Sequence, residues 1–281
     1  MDIREALSKA AEYLIEITDS PILEAELLLA YSLEVDKYEL ITKSNRILTD
    51  KEFDHFWQLI KDRKSGKPVA YILERKEFFG LDFIVTKDVL IPRPETEILI
   101  ELSIEYIEKH KAKSLLDLGT GSGCIPITLL YKTELEQARA VDISNEAIEI
   151  AQRNAKSLLP IQKQNRIGFQ KGDILNYNDD TTYDLITSNP PYIPSKELAD
   201  LPIDLSFEPR SALDGKEDGL TFYRYIAQIL KKNMKKTGAA FLEIHSTLAE
   251  QSIKIFNDNE LQSELYLDLA NKPRVIKVTF K

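Results

Sequence analysis

The chain has 281 residues, 43% of them hydrophobic and 30% charged, enough for an ample core in one large or two ordinary domains. A net charge of −9 and a pI near 5.1 speak against a broad phosphate-binding face, which needs clustered Lys and Arg, so no direct nucleic-acid partner is expected. One cysteine, Cys124, excludes an internal disulfide, and with only three scattered histidines no metal is expected. No run approaches the roughly 18 apolar residues of a membrane helix. Met1-Asp2-Ile3-Arg4-Glu5 is charged, unlike a signal peptide, so a cytoplasmic location is expected.

In residues 2–17, Ile3, Leu7, Ala10, Leu14 and Ile17 fall on one helical face. Ser20-Pro21 reads as an N-cap followed by proline at the first helical position, opening an apolar helix from Ile22 to Leu33. A short helix over 37–42 follows. Thr49-Asp50-Lys51-Glu52 is a capping box, and its helix carries Phe53, Phe56, Trp57 and Ile60, with Trp57 expected in the core. Lys64-Ser65-Gly66-Lys67-Pro68 ends this part. Residues 1–68 are therefore expected to form a separate all-helical bundle.

The period then changes. Phe78 to Val85 is aromatic and β-branched around Gly80, which predicts a hairpin within a 69–92 linker. Ile91-Pro92-Arg93-Pro94-Glu95-Thr96-Glu97 follows. Its prolines suit a stiff linker, whereas an arginine between prolines, followed by two glutamates, suits the wall of a substrate cleft. A helix is expected from Ile98 to Ile107.

From there to residue 281, strands and helices alternate, which predicts an α/β domain over 93–281 with helices on both faces of its sheet. Strands are expected to end at Asp117-Leu118, at Asp142, before Gly172-Asp173, at Asn189 and at Glu243-Ile244-His245. Helices are expected over 145–158, 217–234 and 247–256, and the last strands near 265–269 and 275–280. In such sheets ligands sit at the carboxyl ends of the strands.

Two stretches carry chemistry. Leu116-Asp117-Leu118-Gly119-Thr120-Gly121-Ser122-Gly123 is an apolar strand entering a glycine-rich turn and then a helix, which lets backbone pass close beneath a ligand. Ser188-Asn189-Pro190-Pro191-Tyr192 stops a buried strand with two prolines, which have no N–H to continue the ladder. The Asn189 carbonyl, backbone carbonyls released from the ladder and the Tyr192 ring form an acceptor cluster beside an aromatic face. That arrangement suits a planar NH2 group. In this order the two stretches resemble S-adenosylmethionine-dependent methyltransferases that act on amino or amide nitrogen. The resemblance implies the class I, Rossmann-like fold with a mixed seven-stranded sheet.

Within that resemblance, Gly119, Thr120, Gly121, Ser122 and Gly123 would cradle S-adenosylmethionine, and Asp142, read as an exposed strand-end carboxylate, would take ribose hydroxyls. Asp142 could instead cap the next helix, as Ser144 and Asn145 also could. Asp173 would accept from the adenine amino group and Ile174 would cover the ring, unless the pair merely forms a loop turn. Asp117 would orient the glycine turn or face the sulfonium end. Asn189, Pro190 and Tyr192 would be catalytic, with Asn189 also touching the cofactor. Pro191, Arg93 and Glu97 would join them in holding substrate.

The Asn-Pro-Pro-Tyr motif is shared by adenine, rRNA-guanine and protein-glutamine methyltransferases. The helical N-terminal domain, Ile91 to Glu97, and Phe207-Glu208-Pro209-Arg210-Ser211-Ala212-Leu213 together resemble the HemK/PrmC family of release factor glutamine methyltransferases. This implies N5-methylation of the glutamine in the Gly-Gly-Gln loop of class I release factors, with the N-terminal bundle helping to bind them. A relative that modifies a ribosomal protein and a nucleic-acid adenine N6-methyltransferase are the alternatives. One departure is Glu243-Ile244-His245-Ser246, where the family commonly has glycine after the Glu-His or Glu-Ile pair.

Overall fold

A computed structural model describes residues 1–281. The chain forms two compact units, Met1–Arg75 with Pro202–Phe207, and Lys76–Leu201 with Glu208–Lys281.

The first unit holds helices α1 (Ile3–Leu14), α2 (Pro21–Leu33), α3 (Lys37–Thr42), α4 (Asp50–Lys64) and α5 (Val69–Ile72). Capping boxes at Asp2/Glu5 and Thr49/Glu52 start α1 and α4, because each side chain satisfies an N–H that the first turn leaves unpaired. The core is built from Ile3, Leu14, Leu28, Leu29, Phe56 and Ile60. Two expectations change here. Ser20 makes no side-chain cap, so Pro21 alone sets the start of α2. Trp57 is only half-buried, stacked on Phe53 with the Lys9 ammonium over its ring, and Phe56 takes the core position. Buried Arg63 pairs with Glu24 at 2.7 Å and with Asp204 at 3.1 Å, which draws the distant Pro202–Phe207 segment into this unit.

A hairpin follows, β1 (Arg75–Phe78) and β2 (Leu81–Ile84), and all of it but Arg75 belongs to the second unit. Then come α6 (Thr96–His110), β3 (Ser114–Leu118), α7 (Cys124–Lys132), β4 (Gln137–Asp142), α8 (Asn145–Leu158), α9 (Ile161–Gln164), β5 (Ile167–Lys171) and β6 (Tyr183–Ser188). The chain ends with α10 (Arg210–Leu213), α11 (Thr221–Asn233), β7 (Met234–Glu243), α12 (Ala249–Asp258), β8 (Leu261–Leu267) and β9 (Pro273–Phe280). The seven-stranded sheet runs β5-β4-β3-β6-β7-β9-β8, parallel except where β9 joins antiparallel to β7 and β8. Apolar clusters cover both faces, as a doubly wound sheet requires. α11 starts at Thr221, four residues later than expected. Gly219 lies at φ +74° and Asp218 accepts from the Leu220 N–H, which holds this stretch as a turn.

The strand order reverses between β3 and β6, the place where such folds bind ligands. Register brings the next residues level. Leu118 pairs with Val141 and Ser188, and Ser188 pairs with Leu242. One step further along, Asp142, Gly119, Asn189 and Glu243 therefore stand side by side at the carboxyl edge.

Candidate active site

A cavity of about 320 Å³ opens at this edge, lined among others by Gly119, Gly121, Asp142, Ile143, Ile174 and Asn189. Its floor is the turn after β3. Gly119, Gly121 and Gly123 all have positive φ, at +74°, +55° and +80°, a region that side-chain-bearing residues enter at a cost. Gly121 has open space where a Cβ would stand, and a Cβ on Gly119 would meet only Ile174 Cδ1 at 3.7 Å, so the backbone of this turn can lie directly against a ligand. Gly123 serves packing instead: a Cβ there would meet Ile127 Cδ1 at 2.7 Å.

Asp142 is half-buried, not exposed as expected. Its Oδ2 accepts the Gly121 N–H at 2.8 Å and its Oδ1 the Ser144 N–H at 3.0 Å. It therefore clamps the glycine turn, and each oxygen keeps a further lone pair for a ligand hydroxyl. Burial raises its pKa, while the Ser144 and Gly121 N–H groups oppose the shift. The helix cap is Ser144, which accepts from Ala147 N, so Asp142 is not the cap. Asp173 lines the cavity while its carboxylate caps the short turn 174–176 through Leu175 N and Asn176 Nδ2, and buried Ile174 lines the same wall. Thr120 and Ser122 also line the cavity.

Five candidates do not line the cavity: Gly123, Asp117, Glu97, Pro190 and Tyr192. Asp117 is fully buried beneath the turn and accepts from Thr187 Oγ1 at 2.7 Å, and burial pushes its pKa up to about 6. It ties β3 to β6 and lies beneath the turn, outside the cavity lining. Glu97 accepts the Phe79 N–H at 2.9 Å and braces the hairpin turn, away from the cavity lining. Tyr192 turns its hydroxyl to Glu243 Oε1 at 3.4 Å and rests its ring near His245, with the centroids 5.6 Å apart. Of the Asn-Pro-Pro-Tyr loop, Asn189 and Pro191 line the cavity, whereas Pro190 and Tyr192 do not. Arg93 lines it and binds Glu208, whose buried carboxylate also accepts the Ile91 N–H at 3.1 Å. The sequence reading missed Thr96 and Glu243. Thr96 Oγ1 donates to Glu243 Oε2 at 2.5 Å and accepts from Asn189 Nδ2 at 3.4 Å. Burial pushes the Glu243 carboxyl up to about 7, with the Thr96 bond opposing it. Only the flagged departure at His245 pointed to this strand end.

Residues 5–73 match the PrmC N-terminal domain family and residues 96–203 the methyltransferase small domain family. Over 281 residues the chain is 37% identical to the release factor glutamine methyltransferase of Clostridium acetobutylicum, covering 98% of both proteins. The chain belongs to the release factor glutamine methyltransferase family. It is also 35% identical to the bifunctional methyltransferase of Rickettsia bellii, where 93% of this chain matches 51% of the longer protein. Among solved structures, the hMettl16 catalytic domain, in complex with the MAT2A 3′UTR hairpin 6, is similar with a TM-score of 0.58 and 18% identity. That match covers 78% of this chain and 82% of that one, and shares the fold. No helix of the family member described here is long and apolar enough to cross a membrane.

The cavity suits S-adenosylmethionine on three grounds. The glycine floor admits close backbone approach, and the start of α7 behind it favours the amino-acid carboxylate. The Asp142 carboxylate offers acceptors for hydroxyls. Ile143 and Ile174 offer apolar surface for a ring.

Proposed function

We propose that this enzyme methylates the side-chain amide nitrogen of the glutamine in the Gly-Gly-Gln loop of class I release factors, using S-adenosylmethionine. The observation that carries the reading is the position of Asn189. In a member of this family it lies level with the glycine turn and lines the same cavity. When bound, the cofactor supplies an activated methyl on its sulfonium, so the protein's task is alignment.

The carbonyl of Asn189 would accept from the glutamine NH2, with the Pro190 backbone carbonyl as second acceptor. Holding both hydrogens localises the nitrogen lone pair and aims it into the cavity. Pro190 and Pro191 make this loop rigid, since neither can turn about φ. Arg93, fixed by Glu208, and Pro191 would wall the substrate side. Tyr192 would act through Glu243. Asp142 would hold the cofactor's ribose, with Asp173 and Ile174 at its base. No base is needed before transfer, since the proton can leave to solvent afterwards.

Residues 1–68 would help hold the release factor, 69–92 would link, and 93–281 would carry catalysis in the cytoplasm. The net charge of −9 supports a protein partner over a nucleic acid. Transfer of labelled methyl to purified release factor, absent with its Gln→Ala variant and with ribosomal protein or DNA, is the expected result. Label on DNA or ribosomal protein alone would refute it.

A further inference from the structure

An Asn side chain presents nearly identical shapes with its amide flipped either way, so its partners must decide which end faces a substrate. Asn189 lines the cavity, and its Nδ2 has a single protein acceptor, Thr96 Oγ1 at 3.4 Å. A hydroxyl has one proton, and the buried Thr96 spends it on Glu243 Oε2 at 2.5 Å. Ionised Glu243 can only accept, which forces Thr96 to be an acceptor toward Asn189. A second group, the Tyr192 hydroxyl, fixes the other carboxylate oxygen at 3.4 Å. The relay joins three separate places in the chain: the start of α6, the end of β7 and the loop after β6.

From this geometry we infer that Thr96 and Glu243 are positioning residues that set the flip of the Asn189 amide, directing its nitrogen inward and its carbonyl at the substrate NH2. The inference rests on the proposed glutamine amide reaction, in which the acceptor role of Asn189 is decisive. With the amide reversed, a donor would face a donor and the substrate nitrogen would lose its alignment. Titration gives the relay a direction. Protonated Glu243 can donate to Thr96, freeing the Thr96 proton for Asn189 and favouring the wrong flip. The groups facing Glu243 are Glu95, Arg274 and Tyr192, with Cys124 and Tyr223 also within its electrostatic reach.

The test compares Thr96→Val, Thr96→Ser and Glu243→Gln with wild type, after thermal melts establish that each is folded. Thr96→Val keeps the shape but accepts nothing. Its kcat should fall by about ten- to a hundredfold, the scale of a misaligned reacting group, at unchanged KM for release factor. Thr96→Ser should restore most of the rate. In the cofactor-free protein, hydrogen exchange of the Asn189 side-chain NH2, assigned by its loss in Asn189→Ala, should quicken in Thr96→Val and remain slow in Thr96→Ser. The kcat of wild type should decline below neutral pH more steeply than that of Glu243→Gln. Wild-type kcat and exchange in Thr96→Val would overturn the inference, as would Ser and Val variants that are equally impaired. Superimposable pH profiles would remove Glu243 from the relay. Failure of wild type itself to methylate release factor would refute the proposed function instead, so the two failures are separable.

Discussion

Replacing Asp142 with alanine tests the cofactor assignment and the glycine turn together. The structure separates the two costs. In the folded protein the carboxylate accepts two backbone N–H groups, from Gly121 at 2.8 Å and Ser144 at 3.0 Å. Hydrogen bonds to charged groups contribute about 1.5–3 kcal/mol each, but Gly121 lines the cavity, where water can replace the lost acceptor, so a fold cost of about 1–3 kcal/mol is expected. Binding should suffer more. One or two ribose hydroxyls that lose a charged acceptor, together with a loosened turn, should weaken cofactor affinity by about 3 kcal/mol, on the order of a hundredfold. Asp142→Asn should fall between, because its amide keeps one acceptor but sets an NH2 against an N–H. Calorimetric titration with S-adenosylmethionine at a temperature well below each melt is the measurement. Wild-type affinity in Asp142→Ala would refute the ribose assignment, and wild-type stability would refute the clamp.

Asn189→Ala should lower the single-turnover methylation rate by about 2–4 kcal/mol of transition-state stabilisation, as expected for one oriented hydrogen-bonding group, while barely changing the melt; a near-wild-type rate would reduce the residue to a turn-former. Gly219→Ala should destabilise markedly, since φ is +74° and a Cβ would stand 2.4 Å from the Tyr192 carbonyl oxygen; circular dichroism melts read it. Arg63→Ala strands Glu24 and Asp204 and should cost about 3 kcal/mol by urea unfolding, the low end for breaking a buried pair because Asp204 is part-exposed. Asp117 and Glu243 have pKa values raised to about 6 and about 7, so between roughly pH 4 and 7 these two groups hold more protons in the folded state than in the unfolded one. Their contribution to stability should therefore fall as pH rises through that window, and the pH dependence of urea unfolding in Asp117→Asn should lack the Asp117 part of it.

Features that depend on neighbours in sequence were legible. The glycine turn, the stop at Asn189-Pro190-Pro191 and the helix from Asn145 to Leu158 each follow from local rules, and the structure has them at those residues. Long-range pairing was not legible. Glu243 and Thr96 lie 147 residues apart, and Glu208 reaches back 117 residues to Ile91. Nothing at Glu97 in the sequence reveals that its carboxylate is taken by the Phe79 N–H. Spacing also cannot show that Tyr192 turns to Glu243, because two prolines fix where a chain stops without fixing where the next ring points. Burial hid the role of Asp117: its strand-end position is the same for a ligand-facing carboxylate and for one spent on Thr187.

The sheet explains why so few residues suffice. β3, β4 and β6 are parallel and in register, so their ends deliver Gly119, Asp142 and Asn189 to one level without any loop having to search for it. β7 brings Glu243 to the same level, buried where an acid is costly and therefore partnered by Thr96 and Tyr192. A methyl donor that is already activated needs no nucleophile or metal from the chain, only a nitrogen held in line. A neutral acceptor serves that purpose better than a carboxylate. A charge at position 189 would stabilise the cationic ground state, and the positive charge is lost as the methyl moves. In the proposed reaction, Asn at this position, with its flip constrained by a buried hydroxyl, would supply the acceptor without the charge.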